Sequence, residues 1–151
     1  MVAIDTDVLL LAYAFHRDQR QMANTAFFKA IATQDAVVAI YSIMELLGQL
    51  SFNLSAERLA QWPSWLQDRY GLTVVYPVTA NLTTTAFFQD EFIDRPFLRM
   101  QQLRMPYLDG LIVDLIERVN EVEAFVTWNA RHYRNKTALS VVTPAEYLEK
   151  L

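Results

Sequence analysis

VAIDTDVLLLAYAF, residues 2–15, is the stretch whose reading decides the fold. Val2 to Ile4 is a short, apolar, partly β-branched run that stops at Asp5. Apolar residues resume at Val8 and continue to Phe15 over a helical length. The pattern predicts a strand, a turn at Asp5-Thr6-Asp7 and a helix, with Thr6 or Asp7 available as N-cap. The same stretch lacks a basic leader region, carries two acids and is too short to span a bilayer. It reads as the first β-strand of a folded domain, and a cytoplasmic location without a membrane is the corresponding expectation.

The alternation repeats outward from there. A helix is expected over Asn24–Ala32 and a buried strand over Ala36–Tyr41. Ser42 opens the next helix, in which Ile43, Leu46, Leu47 and Leu50 form the apolar stripe. Ser55 caps a helix that Pro63 interrupts and Gly71 ends. Leu72–Val78 reads as a third strand, and Thr79–Phe92 and Pro96–Met105 as helices. Pro106 suits the first turn of a helix whose Asp109, Ile112, Val113 and Ile116 share a face. Ala124–Trp128 and Leu139–Val142 are the fourth and fifth strands. Thr143 and Glu146 then form a capping box for a last short helix. Strands alternating with helices imply an α/β domain with a mostly parallel sheet covered on both faces. No linker or repeat divides residues 1–151, so a single domain is expected.

Composition agrees with a packed domain. Hydrophobic residues make up 53% of the 151 and charged residues 20%, with Gly 3 and Pro 5. With Cys 0, neither a disulfide framework nor a thiolate zinc site is available, and His16 and His132 are too few for an all-histidine metal site. The net charge of −4 argues against a protein that wraps nucleic acid nonspecifically. Two stretches nonetheless carry cations and no acid. Arg95, Arg99 and Arg104 lie between Asp94 and Asp109, and Arg131, Arg134 and Lys136 between Glu123 and Glu146. Such islands fit phosphate-steering flanks around an acidic site, and fit solvated faces equally well.

In parallel α/β sheets, ligands gather at the carboxyl ends of the strands. Asp5 ends strand one, Glu45 follows strand two, and Asn129 follows strand four. Asp109, early in a long helix, can project to the same edge. Hard divalent cations want oxygen ligands of this kind. Each residue also has a structural reading: Asp5 as a turn former, Glu45 as partner of Ser42 in a capping box, and Asp109 as a first-turn helix charge. That reading explains Asp109 less well, because a carboxylate on a buried stripe costs several kcal/mol, about, unless it is paired or bound to metal.

VAIDTDVLLLAY resembles the start of PIN-domain ribonucleases, where a strand ends in D-T-N or D-T-D and enters a helix. YSIMELLGQL resembles their segment with the second acid. The stretch from Tyr107 to Leu151 resembles their carboxyl half: D-a-x-I, a strand, T-x-N/D, H-[FY], a strand and T-P-x-[ED]-[FY]. The resemblance covers nearly the whole chain and is weakest over Ser51–Pro106. It implies a three-layer α/β/α sandwich with about five strands and a Mg²⁺- or Mn²⁺-dependent endoribonuclease. It also implies a VapC-like toxin with a cognate antitoxin protein, commonly a homodimer, acting on RNA. Carried over, Asp5, Glu45 and Asp109 are the metal-binding acids, Asn129 stands where the fourth acid does, and Thr127 is the hydroxyl residue of that motif. Asn129 is a neutral ligand, and Asp7 in place of the common Asn partly replaces the missing charge. Asp114 and Glu117 lie about 140° and 80° from Asp109 around the helix, as supporting residues or solvent charges. Arg99, Arg104, Arg131 and Arg134 are the RNA-binding candidates.

Two other readings compete. The Asn129 departure suits a PIN-like domain with weakened catalysis that serves as an RNA- or protein-binding module. An α/β nucleotide-binding domain of the response-regulator kind also places acids at a strand end. Here, however, Lys136 sits in a polar loop instead of at a late strand end, and the glycines form no phosphate loop.

Overall fold

The computed structural model describes all residues, Met1–Leu151. Five strands form one all-parallel sheet: β1 (Val2–Ile4), β2 (Ala36–Ala39), β3 (Leu72–Val75), β4 (Ala124–Val126) and β5 (Ser140–Val142), in the order β3-β2-β1-β4-β5. Ten helices connect and cover it. They are α1 (Thr6–Ala14), α2 (Gln21–Ala30), α3 (Ile40–Leu50), α4 (Ala56–Ala60), α5 (Trp62–Tyr70), α6 (Thr84–Gln89), α7 (Arg95–Leu103), α8 (Tyr107–Glu117), α9 (Ala130–Tyr133) and α10 (Pro144–Leu148).

Strand periodicity divides the interior into two cores. Val2, Ile4, Val38, Val126 and Val142 face a layer in which Leu9 of α1, Phe27 of α2, Leu46 of α3 and Leu66 of α5 are buried. Ala3, Val37, Ala39, Phe125 and Val141 face the opposite layer, filled by Ile112, Leu115 and Ile116 of α8 and Tyr133 of α9. The helix–sheet–helix sandwich is therefore the α/β/α arrangement expected. Strands buried on both faces must be apolar throughout, and β2 is buried at every position.

Several boundaries differ from expectation. The second strand ends at Ala39, and α3 begins at Ile40, so Ser42 lies inside that helix and caps nothing. Thr6 and Asp7 do not cap α1; Asp5 does, with its side chain accepting from the Thr6 N–H. Pro63 sits in the first turn of α5 and Gly71 ends it at φ 63. Between Gln89 and Arg95 the chain does not break at the acids but winds through a π-helical turn, Asp90–Asp94, so α6, this turn and α7 form one rod. Pro106 stands immediately before α8, as its N-cap. The capping box at Thr143 and Glu146 is present as read.

Candidate metal centre

The strand order reverses at β1: the chain moves from β1 to β2 and β3 on one side, then returns to place β4 on the other. Loops leave the neighbouring carboxyl ends in opposite directions and open a crevice there. A cavity of about 140 Å³ occupies this position, and its lining includes Asp5, Asp7, Glu45, Asp109, Asn129 and Tyr133.

Asp5 is the buried member, 4% exposed. Its Oδ1 accepts from the Thr6 N–H at 2.8 Å, so it both caps α1 and lines the cavity. Burial pushes its carboxyl well above the usual carboxylate range, and the charges of Asp7 and Glu45 push it further. Asp7, two residues on, is committed elsewhere. Its Oδ1 accepts from the Trp128 N–H at 3.1 Å, and its Oδ2 from the Thr127 hydroxyl at 3.1 Å and the Asn129 N–H at 3.0 Å. These bonds latch α1 to the loop after β4. Burial still raises the Asp7 carboxyl, against the lowering effect of those donors. Asp7 thus contributes charge beside Asp5, while its oxygens are engaged by the loop.

Thr127 is fully buried, and its hydroxyl also accepts from the Asn129 N–H at 3.0 Å. Asn129 precedes α9, yet its side chain makes no cap hydrogen bond. Its carboxamide is therefore not spent on the helix. Glu45 is likewise freed from its structural reading. The cap of α3 is Ala39, without a side-chain bond, and the buried Ser42 hydroxyl has no partner. Thr6 ties this helix to α1 by donating its hydroxyl to the Ser42 carbonyl at 3.4 Å.

Asp109 lies in the first turn of α8, with its side chain 22% exposed. Its Oδ2 is 3.1 Å from His132 Nε2, an ion-pair distance without hydrogen-bond alignment. Tyr133 is buried beside it, and its phenol is pushed upward by burial and by the charges of Asp5 and Asp109. Tyr133, which lines the cavity, and His132, beside Asp109, were part of the H-[FY] motif but were given no role from the sequence. Their signal was the H-Y pair three and four residues after Asn129, which one helical turn returns to the same side. Gln49 also lines the cavity, four residues after Glu45 on α3.

No three of the His, Asp and Glu side chains sit close enough to close on one ion. The donors still fit a hard divalent cation in kind. Magnesium takes one or two carboxylates and retains waters, and a buried carboxylate that its neighbours disfavour gains from a cation alongside. Asp5, Glu45 and Asp109 are the carboxylates on offer, one or two of which would bind directly with water completing the shell, and the Asn129 carboxamide could add a neutral oxygen.

Other expectations are corrected. Asp114 does not reach the cavity. It faces Arg99 at 3.2 Å, Arg118 at 3.3 Å and Arg95 at 3.5 Å, in an ion-pair cluster between α7 and α8. Arg99 is only 14% exposed and also pairs with Glu117, which in turn accepts from the Thr137 hydroxyl and, at 3.0 Å, from the Ala138 N–H. Arg134 pairs with Glu146, the capping-box acid of α10, at 2.5 Å. Arg99 and Arg134 are therefore neutralised by acids distant in sequence. Arg104 and Arg131 are exposed and take no part in an ion pair.

An all-parallel five-stranded sheet inside two helical layers, with acids at its switch point, defines a PIN-like α/β fold. Solved structures share it. The structure of FitAB bound to an IR36 DNA fragment matches over 96% of this chain and 96% of that one, with a TM-score of 0.59 and 12% identity. FitAcB from Neisseria gonorrhoeae matches over 95% and 98%, with a TM-score of 0.56 and 14% identity. No family model and no curated protein matches the sequence. At such identity the likeness is one of fold. No helix is long and apolar enough to cross a membrane.

Proposed function

We propose that this protein is a Mg²⁺- or Mn²⁺-dependent endoribonuclease that hydrolyses RNA phosphodiester bonds, as a VapC-like toxin held by a cognate antitoxin. One observation carries the reading: Asp5, Glu45, Asp109 and Asn129, from four separate parts of the chain, line one cavity at the sheet's switch point. Two of them, Glu45 and Asn129, lack the capping roles that would otherwise explain them. The bound metal would activate water and neutralise the scissile phosphate. Asp5, at the junction of β1 and α1, and Glu45, on α3, would supply carboxylate oxygens to it. Asp109 approaches from α8, with His132 and Tyr133 beside its carboxylate. Asp7 and Thr127 keep the loop bearing Asn129 in place. The antitoxin, the homodimer and the cytoplasmic setting belong to the same proposal and rest on the sequence motifs together with the shared fold.

Purified protein is expected to cut total RNA and defined hairpins internally with Mn²⁺ or Mg²⁺ and to be silent in EDTA. Cleavage that survives both EDTA and repurification would overturn the reading. A second reading, a PIN-like RNA- or protein-binding module with weakened catalysis, is favoured by the neutral Asn129 and by the spacing of the acids. RNA retention without any metal-dependent cleavage would select it.

A further inference from the structure

Three of the cations that the fold leaves unpaired gather away from the acidic cavity. Lys29, Arg58 and Arg69 take part in no ion pair. With His16 they line two adjoining cavities between α1–α2 and α4–α5. The first, about 470 Å³, includes Tyr13, His16, Arg58, Trp65 and Arg69. The second, about 320 Å³, includes His16, Gln21, Lys29, Arg69 and Tyr70. His16 and Arg69 belong to both, and no Asp or Glu lines either.

Aromatic faces stand among these charges. The Arg69 guanidinium lies 5.6 Å from the Tyr13 ring centre and 5.5 Å from that of Tyr70. Tyr13 and Trp65 pack at 5.5 Å with their planes tilted by 51°. The Tyr13 hydroxyl and Gln21 Oε1 are buried without hydrogen-bond partners. The acidic cavity lies along the same two helices: Leu10 and Gln49 line that one, and Tyr13 and Leu50 line the first of these. Tyr13 stands six positions after Asp7 on α1, roughly 9 Å along the helix axis, and Leu10 and Tyr13 are neighbours one turn apart on its surface. The axial separation is about three nucleotides of stacked strand.

We propose that this groove is a subsite for single-stranded RNA, in which a base stacks on the Tyr13–Trp65 face and backbone phosphates meet Arg58, Arg69 and Lys29. The proposal rests on the nuclease reading, since it extends the strand outward from the acids. Unpaired cations beside partly exposed aromatic rings that line a cavity form the usual platform for single strands. A peptide carboxylate would satisfy the guanidinium groups alone. The aromatic faces and the alignment with the acidic cavity favour a nucleotide.

Anisotropy of a fluorescein-labelled oligouridylate in EDTA tests it, because binding is then read without cleavage. Arg58 and Lys29 are exposed, so the R58Q/K29Q variant perturbs no packing; R69Q, whose guanidinium lies over two rings, is the second variant. Wild type should bind, and R58Q/K29Q should show a salt slope shallower by about 1.4 in log–log form, two contacts at about 0.7 each. With Mn²⁺, a substrate of three nucleotides should be cut equally by both, while a longer strand should show a raised KM in the variants. Affinity and salt slope identical to wild type in both variants, with cleavage intact, would overturn the subsite and spare the nuclease. Wild type that neither binds nor cuts any RNA would overturn the nuclease reading itself. Poly-glutamate binding that depends on Arg58 and Lys29, with the oligonucleotide left free, would overturn the proposal in favour of an acidic protein partner.

Discussion

Asp5 and Asp7 differ by two positions and do different work. Asp5 has one oxygen on a helix N–H and faces the cavity; Asp7 satisfies three donors of the loop after β4. Asp5→Asn keeps a cap acceptor and removes a disfavoured buried charge, so at neutral pH without metal its Tm should hold or rise while activity is lost. Asp7→Ala strands the Trp128 N–H and the Thr127 hydroxyl, while the Asn129 N–H keeps the Thr127 oxygen, which should cost about 1–3 kcal/mol. Thermal melts of the two variants check the contrast, and equal destabilisation would refute it. Asn129 supplies the next prediction. Its side chain caps nothing, so Asn129→Asp should lower the Mn²⁺ needed for half-maximal activity and reduce metal-free stability. Superimposable Mn²⁺–Tm titrations for the two proteins would count against a carboxamide facing the metal.

At the scale of elements, α7 and α8 are held by charge. Gly110 faces this contact, and a Cβ there would lie 3.6 Å from the Arg99 Cβ, an ordinary packing distance. Across this contact Arg99 pairs with Asp114 and Glu117. Arg118 reaches Glu91 of the π-helical turn at 2.8 Å, and Glu91 also accepts from the Tyr41 hydroxyl at 2.7 Å. Glu91 is almost completely buried, and these two donors are what keep its carboxylate tolerable there. Arg99→Ala should therefore cost about 1.5–3 kcal/mol in urea titrations, by stranding hydrogen-bonded charges. It should leave the salt slope of RNA binding unchanged. A shallower slope with full stability would return Arg99 to the RNA path.

For the whole molecule, metal and pH act through the same acids. Asp5 and Asp7 have carboxyls raised above the unfolded value of 3.8, so between that value and their raised ones the folded state binds more protons than the unfolded. Stability contributed by these groups is full below pH 3.8 and falls as pH rises through the raised values. Metal-free protein should thus lose part of its stability as pH rises above 3.8 through the raised values, and Mn²⁺ should restore it. At a hundredfold excess over Kd the restoration is about 2.7 kcal/mol. Melts from pH 5 to 8 with and without Mn²⁺ read this directly. A metal-free profile that rises steadily with pH would show the acids satisfied by internal bonds instead.

Local pattern alone determined the alternation of strand and helix, the parallel sheet and the layers on both its faces. Short apolar runs alternating with helical stripes suit a parallel sheet covered on both faces. The identities of the acids at the strand ends were legible for the same reason, since topology carries residues after parallel strands to one edge. Strand and helix limits were not. Ile40 and Tyr41 look like strand, but their apolar side chains serve equally in α3, and the packing of α3 against α1 and α8 settles the boundary. Ser42 then loses its apparent capping role, which leaves Glu45 to the cavity. Charge was the least legible property. The acid-free islands around Arg99 and Arg134 are paired in space with Asp114, Glu117 and Glu146, while Arg58 and Arg69, each beside an acid in sequence, have none in space. Coulombic partners are chosen by distance through the fold, and only the tertiary structure sets that distance.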